Sequence, residues 1–139
     1  MLLVYIGASF TCGERIKLMA IELENRGYTV LSKWFDLDYF VEKAWDKNFN
    51  GEVAETIARV DLSQILQANL IVIDSGDLSS TGGYHVETGM AIMLAFFRHI
   101  RVVHIGPRNN IFQKLIAEHY DTWEHFLNVG VPIYRGELK

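Results

Sequence analysis

The sequence is short of several things, and each shortage excludes a class of protein. Cysteine occurs once, at Cys12, in 139 residues. A disulfide framework and a cysteine-based zinc site are excluded, and a reducing, cytoplasmic setting is expected. Proline occurs twice, at Pro107 and Pro132. No Ser/Gly-rich linker or internal repeat divides the chain, so residues 1–139 are expected to form a single domain. Positive charge is scarce: 13 Lys and Arg stand against 17 Asp and Glu, for a net charge of −4. Without a basic stripe, duplex nucleic acid is not an expected partner. Long apolar runs are missing too. Residues 1–10 lack the basic flank and cleavage site of a signal peptide, and residues 90–97 fall short of the roughly 20 needed to span a bilayer. The histidines (His85, His99, His104, His119 and His125) show no metal-ligand spacing. No metal or cofactor is therefore expected.

What is present suffices for a core, since half of the residues are apolar. Short unbroken apolar runs alternate with helical periods. Residues 2–6, 28–31, 70–74 and 100–105 read as strands, the first and third apolar enough to be buried on both faces. Residues 131–134 read as a fifth strand at an edge, where proline is tolerated. Residues 13–27, 52–68 and 84–97 read as long helices, and 110–119 and 122–129 as short ones. Residues 35–51 are irregular and rich in aromatics. Strands alternating with helices imply an α/β fold: one doubly wound, flavodoxin-like, five-stranded parallel sheet with helices on both faces. Ligands in such folds sit beyond the carboxyl ends of the strands, at the switch point.

Three places could carry chemistry there. In residues 82–91, two glycines open a helix and Glu87 falls in its first turns. Free amides and the helix dipole favour a carboxylate there, and Glu87 shares an inward face with Ala91 and Leu94. A purely electrostatic role, complementing the dipole, is an equal reading. Asp61 interrupts the apolar stripe Ala54, Ile57, Ile65, Ala68. An acid on such a face is either functional or a buried, hydrogen-bonded structural group. The first loop, residues 7–15, follows a strand and opens a helix. Its small residues, hydroxyls and Arg15 could hold an anion, and Thr11 could equally be an N-cap. It is neither a Walker loop nor a dinucleotide fingerprint.

Together these pieces resemble the nucleoside 2-deoxyribosyltransferase family and its nucleotide N-glycosidase relatives. Residues 4–9 resemble the family's opening Tyr strand. Asp61 with residues 68–72 is similar to its helix-to-strand segment. Residues 82–91 match Gly-x-x-x-Glu-x-Gly-x-Ala, the most specific part. Residues 106–112 fall where relatives offer residues to a neighbouring subunit.

The resemblance implies that Glu87 is a nucleophile at the anomeric carbon of a 2-deoxyribosyl group. It implies that Tyr5 holds Glu87 and that Asp61 binds the sugar or handles protons. The implied partners are a small-molecule nucleoside or nucleotide and a second copy of the chain, as a homodimer or higher homo-oligomer with shared sites. Gly7, Ser9, Arg15, Thr81, Gly82, Gly83 and Asn109 are the expected substrate-binding residues. Two departures matter. Thr81 stands where free-nucleoside transferases carry an acid, with Asp77 nearby but out of register. Ser9 and Arg15, with Arg108 or Asn109 from a partner, are placed to hold a 5′-phosphate. Both tilt the expectation towards nucleotide hydrolysis. Trp34, Phe35 and Trp45 could stack on the base or simply cover the sheet edge. Exposed-looking Phe112, Tyr120, Trp123 and Phe126 suggest oligomerisation or core. A non-catalytic nucleotide sensor and a flavin-binding protein are the competing readings.

Overall fold

The computed structural model describes residues 2–36, 52–76 and 83–132. Strand β1 (Leu3–Ala8) leads through a short 3-10 turn into helix α1 (Gly13–Asn25), and strand β2 is only Thr29–Val30. Helix α2 (Glu52–Gln67), strand β3 (Leu70–Asp74), helix α3 (Gly83–Arg98) and strand β4 (Arg101–Ile105) follow. A 3-10 turn (Ile111–Leu115), strand β5 (Glu118–Tyr120) and α4 (Trp123–His125), continued by a π-turn (Phe126–Gly130), complete the order.

The five strands form one parallel sheet in the order β2-β1-β3-β4-β5. This is the flavodoxin-like order, whose switch point lies between β1 and β3. The apolar runs are apolar because both faces are covered: every residue of β3 is buried, as are all of β1 beyond Leu3. Tyr5 and Gly7 pair with Ile71 and Ile73, and these with Val102 and His104, so this row shares one face. Helix α3 covers that face, since Glu87 reaches both Tyr5 and Gly7. Asp74 points to the other face, where it meets Arg15 of α1 and Trp123 of α4. Buried Ile16, Ala20 and Leu23 fix α1 on the sheet, and Gly27, at φ +93°, stops it with a left-handed residue.

Several expectations are corrected. Strand β2 is shorter than 28–31 because side chains take over its ladder. Ile6 N donates to Ser32 Oγ at 2.7 Å, and Trp34 Nε1 donates to Ile6 O at 2.7 Å. Trp34 and Phe35 are buried edge-to-face against each other. They close the sheet edge and are not presented to a base. Trp45 lies outside the described residues. Thr11 is not the cap of α1; that position is Cys12, with no side-chain cap bond.

The fifth strand is Glu118–Tyr120, overlapping the end of the segment 110–119 read as a short helix. Val131 and Pro132 are irregular, and Ile133 and Tyr134 lie outside the described residues. Arg101 clamps β5 to β4 by donating to both Glu118 oxygens, at 2.8 and 2.5 Å. This short polar edge strand has no apolar alternation to read. Trp123 and Phe126 are buried and Tyr120 half-buried, so of the four aromatics only Phe112 is exposed. Among the described residues, no helix is long and apolar enough to cross a membrane.

Candidate active site

The carboxyl end of β1 brings three of the sequence-derived residues together. Tyr5 is fully buried, and its hydroxyl donates to Glu87 Oε1 at 2.6 Å. A β-carbon added at Gly7 would stand 2.9 Å from Glu87 Oε2 and 3.0 Å from Ile73 Cδ1. A side chain here would have to displace the carboxylate end of Glu87 from this position. Asp61 sits half-buried on α2, and its charge is felt by both Tyr5 and Glu87.

The electrostatics follow from this burial. Desolvation pushes Glu87 up to about 8; the Tyr5 hydrogen bond pulls it down and Asp61 adds repulsion. Burial also pushes Asp61 up to about 6. Tyr5 is held well above its ordinary value by burial, then by the charges of Glu87 and Asp61. The unit is therefore two carboxyls that exchange protons in the neutral range and a phenol that stays protonated there and donates to Glu87. The helix dipole is not what holds Glu87. It is the fifth residue of α3, beyond the four free amides of the first turn.

Other expected residues are placed as follows. Gly83 begins α3, while Thr81, Gly82 and Asp77 lie outside the described residues. Ser9 is buried with its Oγ 3.0 Å from Thr11 Oγ1. Arg15 is not brought to Glu87. Its Nη2 lies 3.0 Å from both oxygens of Asp74, on the opposite face of the sheet. The cation expected to meet an anion is thus already neutralised. Asn109 lies on the loop after β4, donating through Nδ2 to Ser75 O at 3.2 Å. Arg108 donates to Ile116 O at 3.0 Å.

Sequence reasoning missed Asp74. It is buried, and it also accepts from Gly76 N at 2.7 Å and Trp123 Nε1 at 2.6 Å. A lone acid ending an apolar strand was the available signal. A cavity of about 630 Å3 adjoins this cluster, between Met19 and Trp123. It belongs to the α1 face, behind the sheet from Glu87. Among the described residues, no group of three or more His, Cys, Asp or Glu is placed to hold a metal ion.

No family model and no curated protein matches the chain. Solved structures do. A 2-deoxyribosyltransferase from Bacillus psychrosaccharolyticus is similar over 94% of this chain and 96% of its own, with a TM-score of 0.63 and 22% identity. A CMP N-glycosidase from Clostridium botulinum is similar over 91% and 95%, with a TM-score of 0.60 and 14% identity. These likenesses define the fold: a flavodoxin-like α/β sheet, shared with both enzymes over nearly their whole length.

Proposed function

We propose that this protein cleaves or transfers at the N-glycosidic bond of a 2′-deoxynucleoside or its 5′-monophosphate, with Glu87 as nucleophile. The observation that carries the reading is the half-buried Glu87 carboxyl, oriented by the Tyr5 hydroxyl at the switch point of the sheet. The likeness to a deoxyribosyltransferase and a CMP N-glycosidase supports it. A Glu87 oxygen attacks the anomeric carbon as the carbon–nitrogen bond breaks. The bonding pair leaves with the base, which takes up a proton. The resulting glycosyl ester is then opened by an acceptor base or by water, which frees Glu87. Tyr5 fixes the attacking carboxylate, and Asp61 handles the proton or a sugar hydroxyl. Ser9, the glycines of the loop before α3 and Asn109 are the proposed substrate contacts. The pairing of Arg15 with Asp74 weakens the earlier tilt towards a 5′-phosphate.

The test is incubation with deoxynucleosides and their monophosphates, with and without acceptor bases, followed by chromatography. Free sugar identifies a hydrolase and base exchange a transferase. Tight nucleotide binding with no base release from any substrate would replace this reading with the sensor. Gly7→Ala is expected to lower kcat/KM about 100-fold, the scale of a 1 Å misplacement of a reacting group. Unchanged turnover with the fold intact would show that the position of the Glu87 carboxylate beside Gly7 does not limit the reaction.

We further propose a homodimer through α3. Val86, Met93, Phe96 and Phe97 are exposed on this helix, and Ile111, Phe112 and Leu115 beside it. Between Tyr84 and Phe97 the helix carries no charge except inward-facing Glu87. Exposed apolar side chains gathered on one face in this way are what an interface between two copies would cover. The same helix carries Glu87, so a second copy would lie beside the site. Sedimentation at micromolar concentration is expected to give a dimer, and Phe97→Glu a monomer. A monomeric wild-type protein would sink the shared-site reading.

A further inference from the structure

The loops after β3 and β4 converge on a buried side chain that the proposed chemistry does not use. His104 is 0% exposed, with its Nε2 3.0 Å from Ser75 Oγ. The Ser75 hydroxyl has one proton and also faces Ile105 O, at 3.4 Å, and Pro107 O, its nearest neighbour. Hydrogen-bond geometry assigns that proton to Pro107 O. His104 then carries its own proton on Nε2 and donates it to Ser75 Oγ. Nδ1 is left as a buried lone pair with no partner among the described residues.

Ser75 ties the two loops together. Its carbonyl accepts from Asn109 Nδ2, and its amide donates to Ile105 O at 2.9 Å. Asn109 N in turn donates to buried Gln113 Oε1 at 2.5 Å. On the β5 side, the His119 ring stacks on His104 with centroids 5.3 Å apart, and His119 Nε2 lies 2.7 Å from Gly106 O. Gly106 packs against Gly76, so the loops touch there as well.

We propose that His104 is a positioning residue: through Ser75 it holds residues 75–76 after β3 against residues 106–109 after β4, and protonation at Nδ1 releases these two segments together with Asn109. The placement of Asn109 at the site rests on the function proposed above; the latch itself does not.

The surroundings oppose an imidazolium at this position. Burial comes first, then the facing His119 of β5 and Arg108 of the loop after β4. Asp74 at the end of β3 is the one favourable charge among these, and it is already bonded to Arg15, Gly76 and Trp123. His104 is accordingly pushed down to about 4. Opening the loops would return it to its ordinary value near 6.5. The open state therefore gains about tenfold in population per pH unit as pH falls from about 6.5 towards 4.

The measurement is native-state hydrogen exchange of the Ser75, Gly106 and Asn109 amides between pH 7 and 4.5, corrected for intrinsic rates. Their protection is expected to fall about tenfold per pH unit, while Ala20 and Leu23 of α1 keep theirs. His104→Gln keeps a donor to Ser75 and cannot titrate. It is expected to retain loop protection and lose its pH dependence, whereas His104→Leu loses protection at every pH. Equal pH dependence in His104→Gln would overturn the proposal. So would pH-independent loop protection in the wild-type protein, whatever the variants do. Where a substrate turns over, His104→Leu should raise KM more than it lowers kcat. If no substrate turns over, the exchange data still decide the latch, so the two readings fail separately.

Discussion

Replacing Glu87 with glutamine is expected to lower base release about 10³-fold or more, with the fold intact. Loss of a nucleophile costs on this scale because no other group forms the covalent bond. Glutamine keeps the shape of the side chain and an oxygen to accept the Tyr5 hydroxyl, so ground-state geometry survives. It also matches the resting charge. Burial pushes Glu87 up to about 8, so at pH 7 the unliganded carboxyl is mostly protonated and neutral. The linkage has a definite sign. An acid whose value is raised by folding stabilises the fold fully below its unfolded value, and that contribution is lost as pH rises through the folded value. Wild type should therefore lose stability relative to Glu87→Gln between about pH 4.5 and 8, and thermal melts across that range check it. Wild-type rates of base release in the variant would remove Glu87 from the chemistry.

Much of this site was legible in the sequence, for a physical reason. Tyr5 and Gly7 lie on a strand with period two, and Asp61 and Glu87 on helices with inward faces. Periodicity turns Asp61 and Glu87 inward, and the family resemblance, not the spacing, supplied the pairing of Tyr5 with Glu87. Strand β3 was readable to the residue because Leu70–Asp74 is covered on both faces. What failed was governed by contacts that no periodicity encodes. Arg15 stands near the first loop in sequence, yet the first turn of α1 carries it to the opposite face and to Asp74. Strand β5 is three polar residues held by Arg101, and its existence depends on a partner 17 positions away. Ser32 and Trp34 extend a strand through side chains, which no backbone propensity predicts. Gly7 was expected to bind substrate, whereas its missing β-carbon leaves space beside the Glu87 carboxylate.

The pH dependence of kcat/KM is expected to be bell-shaped, with limbs near 6 and 8 and a maximum near neutrality. Asp61 and Glu87 interact, and burial raises both, to about 6 and about 8. Such values belong to the pair, which loses its two protons in two steps. Below the first step both groups are protonated and Glu87 cannot attack. Above the second both are ionised and no proton is available for the departing base. Between them the pair holds a single proton, and the productive arrangement puts it on Asp61 and the charge on Glu87. That arrangement is the minor one in the empty site, because Glu87 is the more strongly desolvated. Base leaving and proton uptake drive the proton across as the glycosyl bond forms, so the minor form suffices.

Asp61→Asn separates the two limbs. Desolvation, the main cause that raises Glu87, remains and only the lesser repulsion from Asp61 is removed, so the acid limb should persist as a single rising step below pH 8. The alkaline fall should vanish, and the plateau rate should drop by about 10²-fold, the usual worth of one positioned proton donor. A variant that keeps both limbs would assign the second proton to a group other than Asp61, and would leave Asp61 as a sugar-binding residue alone.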